Sequence, residues 1–283
     1  MKKVIVIPNA MKDAELVVTN RVVEKLNSLG ITVYINEKYI GVNDVEHYRE
    51  LPTDAELIIV IGGDGSVIDA SIIAIQLGVP LLGINLGKVG YLATVDPDGL
   101  DDLCNLAEDK YVLEERMLLV TEKHSADGLT TVAERFAVNE IIISHDTYLG
   151  LRDVRVGNRF GDQVLYRADG LIFSTPQGST AYALSAGGPI ISHQIDSITL
   201  TPVCPHSFFN RSIVFSPDDK LCVTNMGQGG VNISIDGRPF DSLDRGDSCY
   251  IYRSDSRVKM LSFGYSNLFS TLSQKIKLLH DLV

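Results

Sequence analysis

Five consecutive apolar residues, Leu57-Ile58-Ile59-Val60-Ile61, run straight into Gly62-Gly63-Asp64-Gly65-Ser66 and then into a further apolar stretch. A strand without alternation is covered on both faces, which is the habit of parallel sheets flanked by helices. The segment therefore commits the N-terminal part of the chain to an open α/β layer structure. Three glycines within four residues let backbone N–H groups approach a ligand that a Cβ would keep away. N–H groups at a helix start favour bound phosphate. Asp64 stands in the middle of that cradle. At about 4 Å and an effective dielectric near 20, two like charges repel by roughly 4 kcal/mol. A loop that only held phosphate would have no use for it. The residue makes sense as acceptor of a hydroxyl proton or as a holder of a metal ion, and either points to phosphoryl transfer. The alternative is a tight turn with Asp64 as a helix cap.

The neighbouring sequence repeats the strand–helix theme. Residues 3–7 read as a strand, 14–29 as a helix stopped at Gly30, and 31–35 as a second strand. The helix from about Ser66 to Leu77 is apolar almost all round, which predicts deep burial. Val79 to Asn85 is the next strand. Residues 1–100 thus read as an α/β domain built on an open parallel sheet. Past residue 110 short β-branched runs recur: 118–122, 137–144, 153–156, 171–174, 197–201, 212–216, 221–224, 231–235, 249–252 and 258–262. Turn residues separate them, so 101–266 reads as a mostly β domain, a sandwich or similar. From 267 to 283 a helical period returns through Leu268, Phe269, Leu272, Ile276 and Leu279, a tail expected to pack back on the first domain.

A net charge of −11 argues against nucleic acid and anionic membrane as partners. No segment approaches the apolar length of a membrane span, and the apolar run after Met1-Lys2-Lys3 is too short for a signal peptide. Cysteines 104, 204, 222 and 249 form no C-x-x-C pair and read as free buried thiols of a cytoplasmic protein. No His pair has zinc-ligand spacing, and no residue is assigned as a protein metal ligand.

Three further segments carry chemistry. Gly83-Ile84-Asn85-Leu86-Gly87-Lys88-Val89-Gly90, with Tyr91 behind it, leaves another strand's carboxyl end, where open α/β sheets gather ligands. It is no P-loop, since one residue is missing between the glycines and Val89 replaces Ser or Thr. Asn139-Glu140 is a polar pair inside an apolar strand. It needs partners, from an internal hydrogen bond or from a ligand's ribose or base. The block from Arg167 and Asp169-Gly170 through Ser174-Thr175-Pro176-Gln177-Gly178-Ser179-Thr180-Ala181-Tyr182 to Gly187-Gly188-Pro189 offers a hydroxylated turn and an aromatic face. By itself it is equally a decorated turn.

Taken together, these four segments resemble the ATP-dependent NAD kinase family, over essentially the whole chain. Gly-Gly-Asp-Gly alone is shared with phosphofructokinases and with diacylglycerol and sphingosine kinases; the 169–189 block is far more specific. The resemblance implies a Rossmann-like nucleotide-binding domain over 1–100, a β-sandwich substrate-binding domain over 101–266, an active site between them, and homodimers or homotetramers. It implies Asp64 as the base that deprotonates the 2′-hydroxyl of the adenosine ribose of NAD for attack on Mg²⁺-ATP. Gly62, Gly63 and Gly65 would face phosphates, Asn139 and Glu140 would hold the adenosine, and Thr180, Ala181, Tyr182 and Ser185 would line the adenine pocket. Asp169 would contact the nucleotide, and Ser66, Asn85, Tyr91 and Arg167 complete the nucleotide-binding set. Lys88, Arg155, Arg167 and Arg238 are the candidates for local positive charge. The other readings are a kinase of the same loop class acting on a sugar phosphate or lipid alcohol, and a non-catalytic nucleotide sensor. The 169–189 block speaks against the first and Asp64 against the second.

Overall fold

In the computed structural model of this chain the apolar runs form strands. It describes residues 1–39, 41–87, 90–125, 128–132, 136–145, 152–206, 210–264, 269 and 272–273. Contacts divide these residues into two units. The first is Met1–Glu115 with the described residues from Val258 on; the second is Arg116–Arg257.

The first unit opens with β1 (Lys3–Pro8), α1 (Val17–Ser28), β2 (Thr32–Asn36) and β3 (Glu46–Tyr48). It continues through β4 (Leu57–Gly62), α2 (Asp64–Leu77), β5 (Leu81–Asn85), β6 (Ala93–Val95) and α3 (Cys104–Ala107). The strands are parallel in the order β3-β2-β1-β4-β5. Leu57 to Ile61 are 0% exposed, as a strand covered on both faces must be. From β1 the chain winds first toward β2 and β3, and later, through β4, the other way to β5. The order therefore reverses between β1 and β4, and a crevice opens outside their carboxyl ends. Helix α2 starts at Asp64 rather than Ser66, because extended Gly63 is its N-cap. Its deep burial is not observed. Only Val67, Ala70, Ser71 and Ala74 are buried. Small residues seat that face closely, so the isoleucines at 68, 72, 73 and 75 fall to the flanks and stay half-buried.

The second unit contains β7 (Val112–His124, from Arg116 on), β8 (Thr130–Val132), β9 (Glu140–His145), β10 (Arg152–Gly157), β11 (Gln163–Ala168) and β12 (Gly170–Ser174). After the short helix α4 (Tyr182–Ser185) come β13 (Ile198–Val203), β14 (Ile213–Phe215), β15 (Leu221–Asn225), β16 (Val231–Ile235), β17 (Arg238–Leu243) and β18 (Ser248–Ser262). One antiparallel sheet runs β14-β13-β12-β9-β16-β17; β11, β10, β15 and β18 form another, which β7 and β8 extend. Alternate residues of both meet in one core, including Leu119, Ile141, Ile143, Val154, Tyr166, Phe173, Leu200, Val223, Ile233 and Ile251. This is the expected sandwich. The segments 249–252 and 258–262 belong to a single strand.

The predicted 267–283 tail lies outside the described residues apart from Phe269, Leu272 and Ser273. All four cysteines are free, but only Cys249 is buried; Cys204 is exposed and the other two are intermediate. Among the described residues no helix is long and apolar enough to cross a membrane.

Candidate functional site

In the first unit three loops meet at the β1/β4 reversal. Gly63, in extended conformation, is the N-cap of α2. Asp64 folds its carboxylate onto the segment after β5: Oδ2 accepts from Tyr91 N–H at 2.9 Å, and Oδ1 from Leu92 and Ala93 N–H at 3.0 and 3.2 Å. The candidate base thus organises the 91–93 stretch by three charge-assisted bonds. Asn85 is buried, and its Oδ1 accepts Gly87 N–H at 2.8 Å, shaping the second glycine loop. Leu86 N–H bonds Gly62 O at 2.6 Å and ties that loop to the first. Ser66 Oγ accepts Asn9 Nδ2 at 2.8 Å. Gly62, Gly63, Asp64, Gly65, Ser66, Asn85 and Tyr91 are therefore brought together, within this unit.

In the second unit the structure joins Asn139-Glu140 to the 174–182 block. Glu140 pairs with Ser174 across β9 and β12. Thr175 N–H donates to Asn139 O at 2.9 Å, and Thr175 Oγ1 to Val138 O at 2.6 Å. Gly178 lies so close that a Cβ there would stand 2.0 Å from Asn139 O. Glu140 is 7% exposed, and its Oε2 has no hydrogen-bond partner among the described residues. Burial pushes its carboxyl up to about 7, the Asp236 carboxylate adds to the rise, and the Tyr182 N–H draws it partly back. Tyr182 is 44% exposed, beside half-buried Thr180 and Ala181 and exposed Ser185. A buried carboxyl lacking an acceptor or donor for one oxygen, next to an open aromatic face, suits a ligand's hydroxyls and base.

Other expected residues are differently placed. Arg167 is locked to Asp153 by two bonds of 2.8 and 3.0 Å, so its charge is already matched. Asp169 is exposed, with an oxygen 3.7 Å from His145 Nε2. Lys88 lies outside the described residues.

Three residues were missed by sequence reasoning. Asp236, in the Asp236-Gly237 turn with φ of 47° and 74°, accepts the N–H groups of Val138, Asn139 and Glu140 at 2.8–3.0 Å. Asp-Gly signals a type I′ hairpin, which could have marked the turn though not its contact. Asn9 and Lys12 follow β1. A Cβ on Gly63 would stand 2.6 Å from Lys12 Nζ, so the ammonium sits over the glycine loop.

Residues 4–111 match the ATP-NAD kinase N-terminal domain, and residues 138–263 match the ATP-NAD kinase C-terminal domain. The NAD kinase of Caldanaerobacter subterraneus subsp. tengcongensis is 35% identical over 285 residues, covering 98% of this chain and 99% of its own. That of Acetivibrio thermocellus is 33% identical, covering 98% and 97%. A yeast NADH kinase solved with NADH has a TM-score of 0.82 at 20% identity, covering 96% of this chain and 86% of that one. An NAD kinase from Archaeoglobus fulgidus in complex with ATP gives 0.72 at 24%, covering 96% and 99%. These two structures speak to the fold; the family is carried by the two domain matches and by identity sustained over the whole length. The chain belongs to the ATP-NAD kinase family.

Proposed function

We propose how this chain performs the ATP-dependent phosphorylation of NAD to NADP: Asp64 takes the proton of the adenosine 2′-hydroxyl as that oxygen bonds to the γ-phosphorus of ATP, the bond from that phosphorus to the β–γ bridging oxygen breaks, and ADP leaves. The observation that carries this reading is the Asp64 carboxylate at the start of α2, beside two glycine loops and fixed by three N–H donors. Oδ2 accepts only one of those bonds, which leaves it capacity for a substrate hydroxyl. A positioned carboxylate typically contributes about 10²–10⁴ in rate to such a step. Orientation of the two substrates supplies much of the rest.

Asn139 and Glu140 hold the adenosine of NAD, with Thr180, Ala181, Tyr182 and Ser185 around the base. Gly62, Gly63, Gly65 and Ser66 face phosphates, with Asn85 and Tyr91 shaping the loop behind them. Arg167 and Asp169 complete the set, Arg167 by keeping its pair with Asp153. Mg²⁺ belongs to the same proposal as the ion carried by ATP. No group of three or more His, Cys, Asp or Glu side chains able to cage a metal occurs among the described residues. Carried by ATP, Mg²⁺ would be held mainly by phosphate oxygens and water. When bound, it neutralises charge developing on the phosphates. A cytoplasmic location and a homodimer or homotetramer are further parts of the proposal. Phe160 and Leu165, 73% and 55% exposed, are apolar surface available to such an assembly.

The test is incubation of the purified chain with NAD and Mg²⁺-ATP, followed by an NADP-specific assay. Turnover is expected. Asp64→Asn should lose about 10²–10⁴ in kcat while still binding both nucleotides. Near-normal turnover by that variant would remove Asp64 from the role of base.

A further inference from the structure

We infer that Lys12 grips the phosphate chain of the nucleoside triphosphate donor, delivered by a β1–α1 loop that Asn9 and Asp13 hold in shape. The inference rests on the phosphoryl-transfer reading above and names the cation that this reading lacks.

Four observations converge on it. The first is topological. The β1–α1 loop and the Gly62–Ser66 loop leave adjacent parallel strands, paired from Val4↔Leu57 to Pro8↔Ile61, on either side of the sheet reversal. Ligands of open α/β sheets bind at that point. The second is the placement of the ammonium. A Cβ would stand 2.6 Å from Lys12 Nζ at Gly63 and 3.7 Å from it at Gly87, so this one group overlies both glycine loops. At Gly63 any side chain would have to displace it.

The third is charge. Lys3, Lys25, Lys110, Lys123 and Lys220 each have a carboxylate oxygen within 2.5–3.2 Å. Lys12, like Lys2, Lys38 and Lys259, has no ion pair among the described residues, and of these it is the one whose ammonium lies over the glycine loops. In a chain of net charge −11, an unmatched ammonium over a phosphate-binding turn is the complement of an anion. A compact ammonium on a flexible stem suits a multiply charged phosphate chain.

The fourth is preorganisation. Asn9 Oδ1 accepts the N–H groups of Met11 and Lys12 at 3.0 and 3.2 Å, and Asn9 O accepts those of Lys12 and Asp13 at 3.0 and 2.9 Å. Asp13 is 6% exposed and caps α1 through Val18 N–H, Thr19 N–H and Thr19 Oγ1 at 2.6–3.1 Å. The loop is therefore set before any ligand arrives, which lowers the ordering cost of binding. Asn9 Nδ2 also donates to Ser66 Oγ, which leaves the Ser66 hydroxyl proton for another acceptor, and a phosphate oxygen is the natural one. Asn9 is thus a positioning residue and Lys12 a binding one.

The experiment compares wild type, Lys12→Met, Lys12→Arg and Lys12→Glu in steady-state kinetics with Mg²⁺-ATP and NAD varied separately. ATP binding is followed by calorimetry and folding by thermal melting. Lys12→Met should raise the KM and the Kd for ATP by about 10–100-fold, the span of one charged hydrogen bond. The KM for NAD and the melting temperature should stay put, because Lys12 is exposed. Lys12→Arg should recover most of the ATP affinity, and Lys12→Glu should be worse than Met. The inference is overturned if ATP affinity in Lys12→Met stays within about twofold of wild type, or if both KM values rise together. If wild type binds ATP but forms no NADP, the functional reading fails and the ATP Kd alone decides Lys12.

Discussion

Glu140 gives the most quantitative test of the site. Burial and the Asp236 carboxylate lift its carboxyl from the ordinary 4.5 to about 7 in the folded chain. Below 4.5 the folded and unfolded chains both carry the proton, so the residue does not bias folding. As pH rises through 4.5 the unfolded chain releases it while the folded chain keeps it, and stability falls until the folded chain releases it too, near 7. At 1.36 kcal/mol per pH unit, that window is worth about 3 kcal/mol, of which about 2–3 is lost between pH 5 and pH 8. Glu140→Gln keeps the shape and removes the titration. The variant should match wild type at pH 5 and exceed it at pH 8 by about 2 kcal/mol, or about 4–8 °C in Tm for a unit of this size. NAD binding should weaken, since the neutral amide replaces the oxygen that lacks a partner. Melting curves of both proteins from pH 5 to pH 8 read the gap directly. A gap that does not grow with pH refutes the reasoning. A cross-check is Asp236→Asn, which removes the neighbouring charge and should shrink the window without closing it.

Three further outcomes are expected. Gly178→Ala should cost about 1–3 kcal/mol in denaturant unfolding and raise the KM for NAD, because its Cβ meets Asn139 O at 2.0 Å. Unchanged stability and kinetics would mean the two segments are not packed as described. Asp236→Ala strips the acceptor from three N–H groups around Glu140 and should cost about 1–3 kcal/mol, read as faster amide exchange at 138–140. Leu26→Ala, at a fully buried position of α1, should cost about 2–5 kcal/mol by chemical denaturation without altering the KM for ATP.

The first unit was legible where its strands are apolar, as in β1, β4 and β5, and its turns glycine-rich, so Leu57 to Ser66 alone named the layer type; the edge strand β3, Glu46-His47-Tyr48, is polar and mostly exposed and was not read. The second was legible wherever a strand buried alternate residues. Strand β11 was not, since Val164 and Leu165 on it face outward. Nor was β17, an edge strand carrying Pro239, where proline is tolerated. The middle of β18, Arg253 to Arg257, reads as a turn in sequence but is extended, and both arginines pair with Asp196. The candidate site divides in the same way. Asp64 and Asn139-Glu140 announce themselves, because a carboxylate in a phosphate cradle and a polar pair in an apolar strand each demand an explanation locally. Lys12 and Asp236 do not. Their meaning lies in β1 pairing with β4 and in a hairpin tip reaching residues almost a hundred positions earlier, and neither leaves a mark on periodicity.

The short parallel pairing of Met260 with Leu81 bears on how the chain is made. The position on β5 beside Leu81 is filled by a residue synthesised about 180 positions later. At about 5–20 residues per second on the ribosome, that partner arrives about 10–35 s after Leu81. During that interval the first unit carries an unpaired stretch of sheet edge, open to pairing with another nascent chain. A chain released before residue 258 never closes it. Such fragments should therefore be recovered in aggregates or bound to chaperones, even though nearly every residue of the glycine loops and of the sandwich core has already been made.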